Sequence, residues 1–277
     1  MDAAVHRPAQ TEGGELVSGV PHLDPKLPSG GYKPLVSPSN ESCSVPLAEG
    51  YERWAPTYDQ SPNPLLAREE RYLLPLLSDL RERYVLDLAC GTGRWLETLL
   101  LQGVRLAVGI DCSRAMLKVA GKKVAIAARL AQADCLSLPF QSSVFDLVIC
   151  SFALSHVADL TSMVHELGRV TKPECDVFVS DLHPEAYSRG WRTGFRDGRS
   201  AVEIETLPRT AEEIIRAFYS GGFECVTHVP LCLGEPEKLI FDQAGKSHLF
   251  ERACHFPAVL VCQFRPVLAE VESPENK

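Results

Sequence analysis

The stretch Tyr84-Val-Leu-Asp-Leu-Ala-Cys-Gly-Thr-Gly93 constrains the fold more than any other part of the chain. A short apolar run ends in two glycines one residue apart, and residues 94–102 continue as a helix. A strand that turns through bare backbone into a helix is the opening unit of an open parallel sheet. Gly91 and Gly93 permit the tight turn and remove the Cβ atoms that would hold a ligand off the main chain. The following helix presents unpaired N–H groups to the same point. On its own, a glycine pair at this spacing marks only a turn.

The rest of the chain repeats the alternation. Residues 105–110 are the next expected strand, and Ser113 is the N-cap of a helix running to about Ala128. A weak strand near Leu130 is followed by strands at 145–150 and 176–180, with a helix at 160–170 between the latter two. Thr210 and Glu213 have capping-box spacing, and Gly221-Gly222 stops the helix they start. Two last strands, 223–231 and 258–264, are separated by a long segment without a crossover of the earlier kind. Upstream, residues 64–83 carry Leu and Tyr at helical spacing, interrupted or bent at Pro75. The pattern is α/β: a Rossmann-like, mostly parallel sheet with an antiparallel edge and helices on both faces. Residues 1–48, rich in Pro, Gly and Ser, read as a disordered tail, as does the polar stretch 270–277. Residues 49–269 form the domain between them.

Charge and cysteine usage bound the partners. With a formal charge of −8, the chain lacks the broad positive field that phosphate-backbone binding needs, so no nucleic acid is expected. The most apolar stretch, 144–157, is interrupted by Asp146 and His156 and is too short for a membrane span. The ten cysteines are scattered without CxxC spacing, as reduced thiols of a cytoplasmic protein would be. No metal site and no obligatory protein partner are evident.

Asp111 ends the second strand at close to the ~20-residue spacing at which an acid reaches ribose hydroxyls in dinucleotide folds. Leu96 stands where those folds carry a third glycine, which argues against a pyrophosphate cofactor. At this point a resemblance becomes specific. VLDLACGTG closely resembles motif I of the class I S-adenosylmethionine (SAM)-dependent methyltransferases, with Ala89 in place of the first glycine. Gly109-Ile-Asp111 resembles motif II, and Ala133-Asp134-Cys135 the segment that meets the adenine. Leu138-Pro139-Phe140 followed by Phe145-Asp-Leu-Val resembles the run into the fourth strand. The segment Tyr51–Asp59 is similar to the "Y…A..YD" stretch of the ubiquinone/menaquinone-biosynthesis type.

The resemblance implies a seven-stranded sheet, SAM as cofactor, and in-line methyl transfer to an O, N or C nucleophile of a small-molecule substrate, without a metal. It implies that Asp87, Ala89, Gly91, Gly93, Asp111, Asp134 and Cys135 bind the cofactor, with Asp111 on the ribose. Residues 49–83, with Tyr51 and Tyr58, form a helical cap over cofactor and substrate. His156, just past the fourth strand, stands where substrate and methyl group meet and is the candidate general base. The polar and aromatic stretch 183–208, with His183, Trp191 and Arg192, is the candidate substrate lid. The competing expectations are a protein or RNA methyltransferase, and a non-catalytic SAM-binding regulatory protein.

Overall fold

The computed structural model describes residues 42–60, 62–77, 79–198 and 200–267. Most of the expected N-terminal tail and all of the C-terminal one lie outside these residues. The elements, in chain order, are β1 (Ser42–Val45), α1 (Leu47–Trp54), α2 (Pro64–Leu73), β2 (Tyr84–Leu88), α3 (Arg94–Leu101), β3 (Leu106–Asp111) and α4 (Arg114–Ala120). Then come β4 (Leu130–Gln132), β5 (Phe145–Ser151), α5 (Leu160–Val170), β6 (Thr171–Leu182), α6 (Pro184–Ser188), β7 (Gly194–Asp197) and β8 (Ser200–Ile204). The last are α7 (Ala211–Ser220), β9 (Phe223–Cys232), α8 (Glu235–Gln243), α9 (Ser247–Ala253) and β10 (Pro257–Pro266). Among the described residues, no helix is long and apolar enough to cross a membrane.

Seven strands form one sheet in the order β4-β3-β2-β5-β6-β10-β9. The pairings among β4, β3, β2, β5 and β6 are parallel, and β10 runs antiparallel to both its neighbours. The sheet is covered on both faces because adjacent residues of a strand point to opposite sides. Leu86 and Val148 pack with Phe218 and Phe264 on one face, whereas Val85 and Leu147 pack with Leu96 and Val261 on the other. The long segment between the last two strands is the helix pair α8 and α9.

Local signals set most boundaries. Asn63 accepts the Leu65 N–H at 2.9 Å and Pro64 opens α2, while Pro75 confines the chain to one tight turn at 74–76 after it. Thr210 and Glu213 form the expected capping box. Ser113 caps α4, but this helix ends at Ala120, well short of Ala128. The chain leaves the helix there so that Ile126 is buried against the glycine turn: a Cβ on Gly93 would stand 2.3 Å from Ile126 Cδ1.

A second correction concerns residues 42–48, which are not tail. β1 pairs in parallel with β8, and β8 forms a hairpin with β7. Val45 is buried by that pairing, which depends on a strand far away in sequence and leaves no periodic signal in four residues. The helix α1 lies directly on this small sheet, since a Cβ on Gly50 would stand 2.6 Å from Ile204 Cγ1.

Candidate active site

The site is built around the turn after β2. Ala89, Gly91 and Gly93 all have left-handed backbones, with φ of 58°, 55° and 83°. The Cys90 N–H donates to the Ile110 carbonyl at 2.9 Å, tying the turn to β3. An alanine in the left-handed region costs about 1–2 kcal/mol that glycine avoids. Glycine also gives up more chain entropy on folding. Ala89→Gly is therefore expected to leave stability unchanged or raise it by up to about 1 kcal/mol, read from urea unfolding. A similar loss would show that Ala89 gains packing that outweighs its backbone strain.

Asp87 anchors the turn from behind. Only 2% exposed, its carboxylate accepts the Leu96 N–H at 3.1 Å in the first turn of α3. Burial pushes its pKa up to about 7, against the pull of the nearby Arg94 guanidinium. Neither Asp87 nor Gly93 lines the cleft in front of the turn. On their side of the turn the Asp87 carboxylate holds the Leu96 N–H and Ile126 packs against Gly93, so both residues shape the turn.

That cleft encloses about 1400 Å³ and is lined on one side by Ala89, Gly91, Asp111, Met116, Asp134 and Cys135. Asp111, 9% exposed, accepts the Gly91 N–H at 2.8 Å on Oδ2 and the Ser113 N–H at 2.7 Å on Oδ1. Each oxygen has a second lone pair, so the carboxylate keeps capacity for two further donors. Burial raises its pKa, and the two backbone hydrogen bonds oppose that rise. Asp134 is exposed at the rim and accepts the Leu136 N–H at 2.9 Å.

Tyr51, Tyr58, Phe152 and His156 line the other side. The Tyr51 hydroxyl and His156 Nε2 are 2.9 Å apart, and their rings meet edge to face at 5.4 Å. His156 Nδ1 is buried with no hydrogen-bond partner among the described residues. Burial lowers the His156 pKa to about 4 and pushes the Tyr51 phenol well above its usual value. Trp54 stacks at 5.4 Å on Phe195 of β7, and Arg53 pairs with Asp197 at 2.8 Å, so the hairpin braces α1 from outside. On the inner side, the Thr92 hydroxyl donates to Asp59 at 2.6 Å, and Lys123 pairs with Asp59 at 3.1 Å. The Tyr51–Asp59 segment is thus tied to the glycine turn itself.

Three expected lid residues lie outside the lining. His183 accepts the Glu185 N–H on Nδ1 and caps α6. Trp191 packs edge to face on Phe256, and Arg192 sits 4.0 Å over the Tyr187 ring while donating to two backbone carbonyls. Their polar groups are used, or buried, within their own segment. The lid stretch reaches the site through the hairpin behind α1 and through the Leu207 N–H, which donates to the Ser155 carbonyl at 2.7 Å beside His156.

One residue had no signal in the sequence. Glu69 reads as the charged face of α2, yet it is 0% exposed. Its carboxylate accepts from Arg94 and Ser180, from Ser151 at 3.0 Å and from the Trp95 indole N–H at 3.2 Å. Those donors sit at the ends of β5 and β6 and at the start of α3. Glu69 thereby pins the cap helix to the strand tips below the cleft.

A parallel sheet with a bare-backbone turn after its first strand, opening onto one large cleft, defines an enzyme of the Rossmann-like nucleotide-cofactor class. A family model described as a methyltransferase domain matches residues 85–174. The 2-phytyl-1,4-naphtoquinone methyltransferase of Synechococcus elongatus is 32% identical over 175 residues, covering 54% of this chain and 75% of that protein. The demethylmenaquinone methyltransferase of Lactiplantibacillus plantarum is 34% identical over 134 residues, covering 44% of this chain but only 56% of that protein. The crystal structure of an S-adenosylmethionine-dependent methyltransferase from Mesorhizobium loti superposes with a TM-score of 0.56 at 20% identity, over 72% of this chain and 97% of that one. The chain belongs to the SAM-dependent methyltransferases, and S-adenosylmethionine is its cofactor.

Proposed function

We propose that the chain methylates a small molecule at an oxygen, nitrogen or carbon nucleophile, and that Asp111 and Gly91 hold the cofactor while the Tyr51–His156 side holds the acceptor. The observation that carries this reading is the single cleft: the glycine turn and Asp111 open onto the same space as Tyr51, Tyr58 and His156. At about 1400 Å³ the space exceeds what one drug-sized ligand occupies, so it admits a nucleoside cofactor and a second molecule together.

The residues fit the cofactor. Asp111 retains acceptor sites for two ribose hydroxyls, and a Cβ on Gly91 would reach 3.3 Å from Met116 Cε, filling the cradle beside the turn. Asp134 and Cys135 lie at the adenine end by resemblance. Bound there, SAM supplies an activated methyl on a sulfonium, so the protein's task is to align a nucleophile and keep water out. Tyr58, Phe152 and the braced helix α1 form the dry wall that does so. Residues 49–83 act as the cap, and the 194–204 hairpin supports it. All ten cysteines are free, as suits a reducing cytoplasm.

The test is incubation with methyl-labelled SAM and a metabolite extract. Label is expected in the small-molecule fraction. Label found only in protein or RNA, or SAM bound without transfer, would overturn the reading.

A further inference from the structure

The bond between Tyr51 and His156 has a direction. A neutral imidazole carries one N–H and one bare nitrogen. If the phenol donates to Nε2, the ring proton must sit on Nδ1, which is buried without a partner among the described residues. If Nε2–H donates to the phenol oxygen instead, Nδ1 is a bare acceptor. A buried donor with no partner is rarer and costlier than an acceptor left with a free lone pair. The second arrangement therefore wins, and it leaves the Tyr51 hydroxyl proton uncommitted to His156.

We propose that Tyr51 is the group that meets the acceptor molecule, donating its hydroxyl proton in a hydrogen bond to an acceptor oxygen or nitrogen, and that His156 is a positioning residue that holds the phenol through Nε2–H. The surroundings agree. Burial keeps His156 neutral, and burial together with Tyr58, Asp111 and Asp181 disfavours a phenolate, so Tyr51 retains the proton it donates. Tyr51 lines the cleft from α1, and α1 is held from behind by Trp54–Phe195 stacking and the Arg53–Asp197 pair. The phenol oxygen is thus fixed from both sides. The proposal reverses the roles that the sequence suggests, in which His156 faces the acceptor as a base.

The role of Tyr51 toward the acceptor rests on the methyl-transfer reading, whereas the direction of the bond does not. The direction is read from the ¹⁵N spectrum of histidine-labelled protein, with and without S-adenosylhomocysteine. The His156 proton is expected on Nε2 in the wild type, with that preference lost in Tyr51→Phe. A proton on Nδ1 would overturn the proposal. Label transfer from SAM to the metabolite extract reads the second half. Tyr51→Phe is expected to lower it about tenfold or more, the loss of one hydrogen bond at the reacting centre. His156→Leu is expected to lower it, and His156→Gln, which keeps an N–H donor, to restore part of the loss. All three variants should bind S-adenosylhomocysteine with wild-type affinity, which separates this effect from misfolding. Full transfer in Tyr51→Phe, or no rescue by His156→Gln, would sink the assignment. If the wild type binds S-adenosylhomocysteine but transfers no label, the methyl-transfer reading fails while the ¹⁵N result stands by itself.

Discussion

Glu69→Ala is expected to cost about 3–5 kcal/mol of folding free energy, more than any other single truncation around the cleft. The size follows from what the carboxylate leaves behind. Arg94, with a side chain only 25% exposed, loses its buried partner and keeps Glu70 at 3.2 Å. The Trp95 indole N–H and the Ser151 and Ser180 hydroxyls lose an acceptor in the same step. Because Glu70 still screens Arg94, the lower end of the range is the better expectation. Glu70→Ala, at a half-exposed position, should cost less than about 1 kcal/mol. Urea unfolding of the two variants decides the matter. A Glu69→Ala protein within 1 kcal/mol of wild type would show that the network contributes little net stability.

The second large effect is on the cofactor. Asp111→Ala should weaken S-adenosylhomocysteine binding by on the order of 1–3 kcal/mol, roughly fivefold to 150-fold in Kd. Two losses act together. The ribose hydroxyls lose their acceptor, and the Gly91 and Ser113 N–H groups are left unpaired, which loosens the turn. Asp134→Ala removes an exposed carboxylate at the rim and should cost well under 1 kcal/mol. Calorimetric titration of both variants against S-adenosylhomocysteine gives the comparison. If Asp111→Ala binds within twofold of wild type, the carboxylate is an internal brace of the turn and not the ribose anchor.

What could be read from the sequence was what neighbours in sequence determine. The apolar run into Gly91 and Gly93, the cap at Ser113 and the Thr210–Glu213 box are complete within a few residues, and the structure has them. The mostly parallel sheet and its antiparallel edge followed from alternation and its lapse, whereas the insertion of β10 between β6 and β9 did not. The features that escaped need partners from far along the chain. Glu69 is indistinguishable from a solvated helix acid until Ser151, Ser180 and Arg94 surround it. Val45 has no reason to be a strand residue without Ile204 and its neighbours across from it. His183 and Arg192 have the chemistry of a lid, but a helix cap and nearby carbonyls engage them, and Trp191 packs on the distant Phe256. Inside the turn, the Asp87 carboxylate accepts the Leu96 N–H, a bond that the short run of residues 87–96 supplies by itself.

The placement of β10 between β6 and β9 has a consequence for how the molecule is made. Phe223–Cys232 shares no ladder with the five parallel strands except through Pro257–Pro266. A nascent polypeptide that has emerged only as far as residue 256 can zip up those five strands yet cannot recruit the outermost one. The bridging strand therefore completes the sheet, and any intermediate that lacks it leaves β9 without a ladder and the seam beside β6 unpaired.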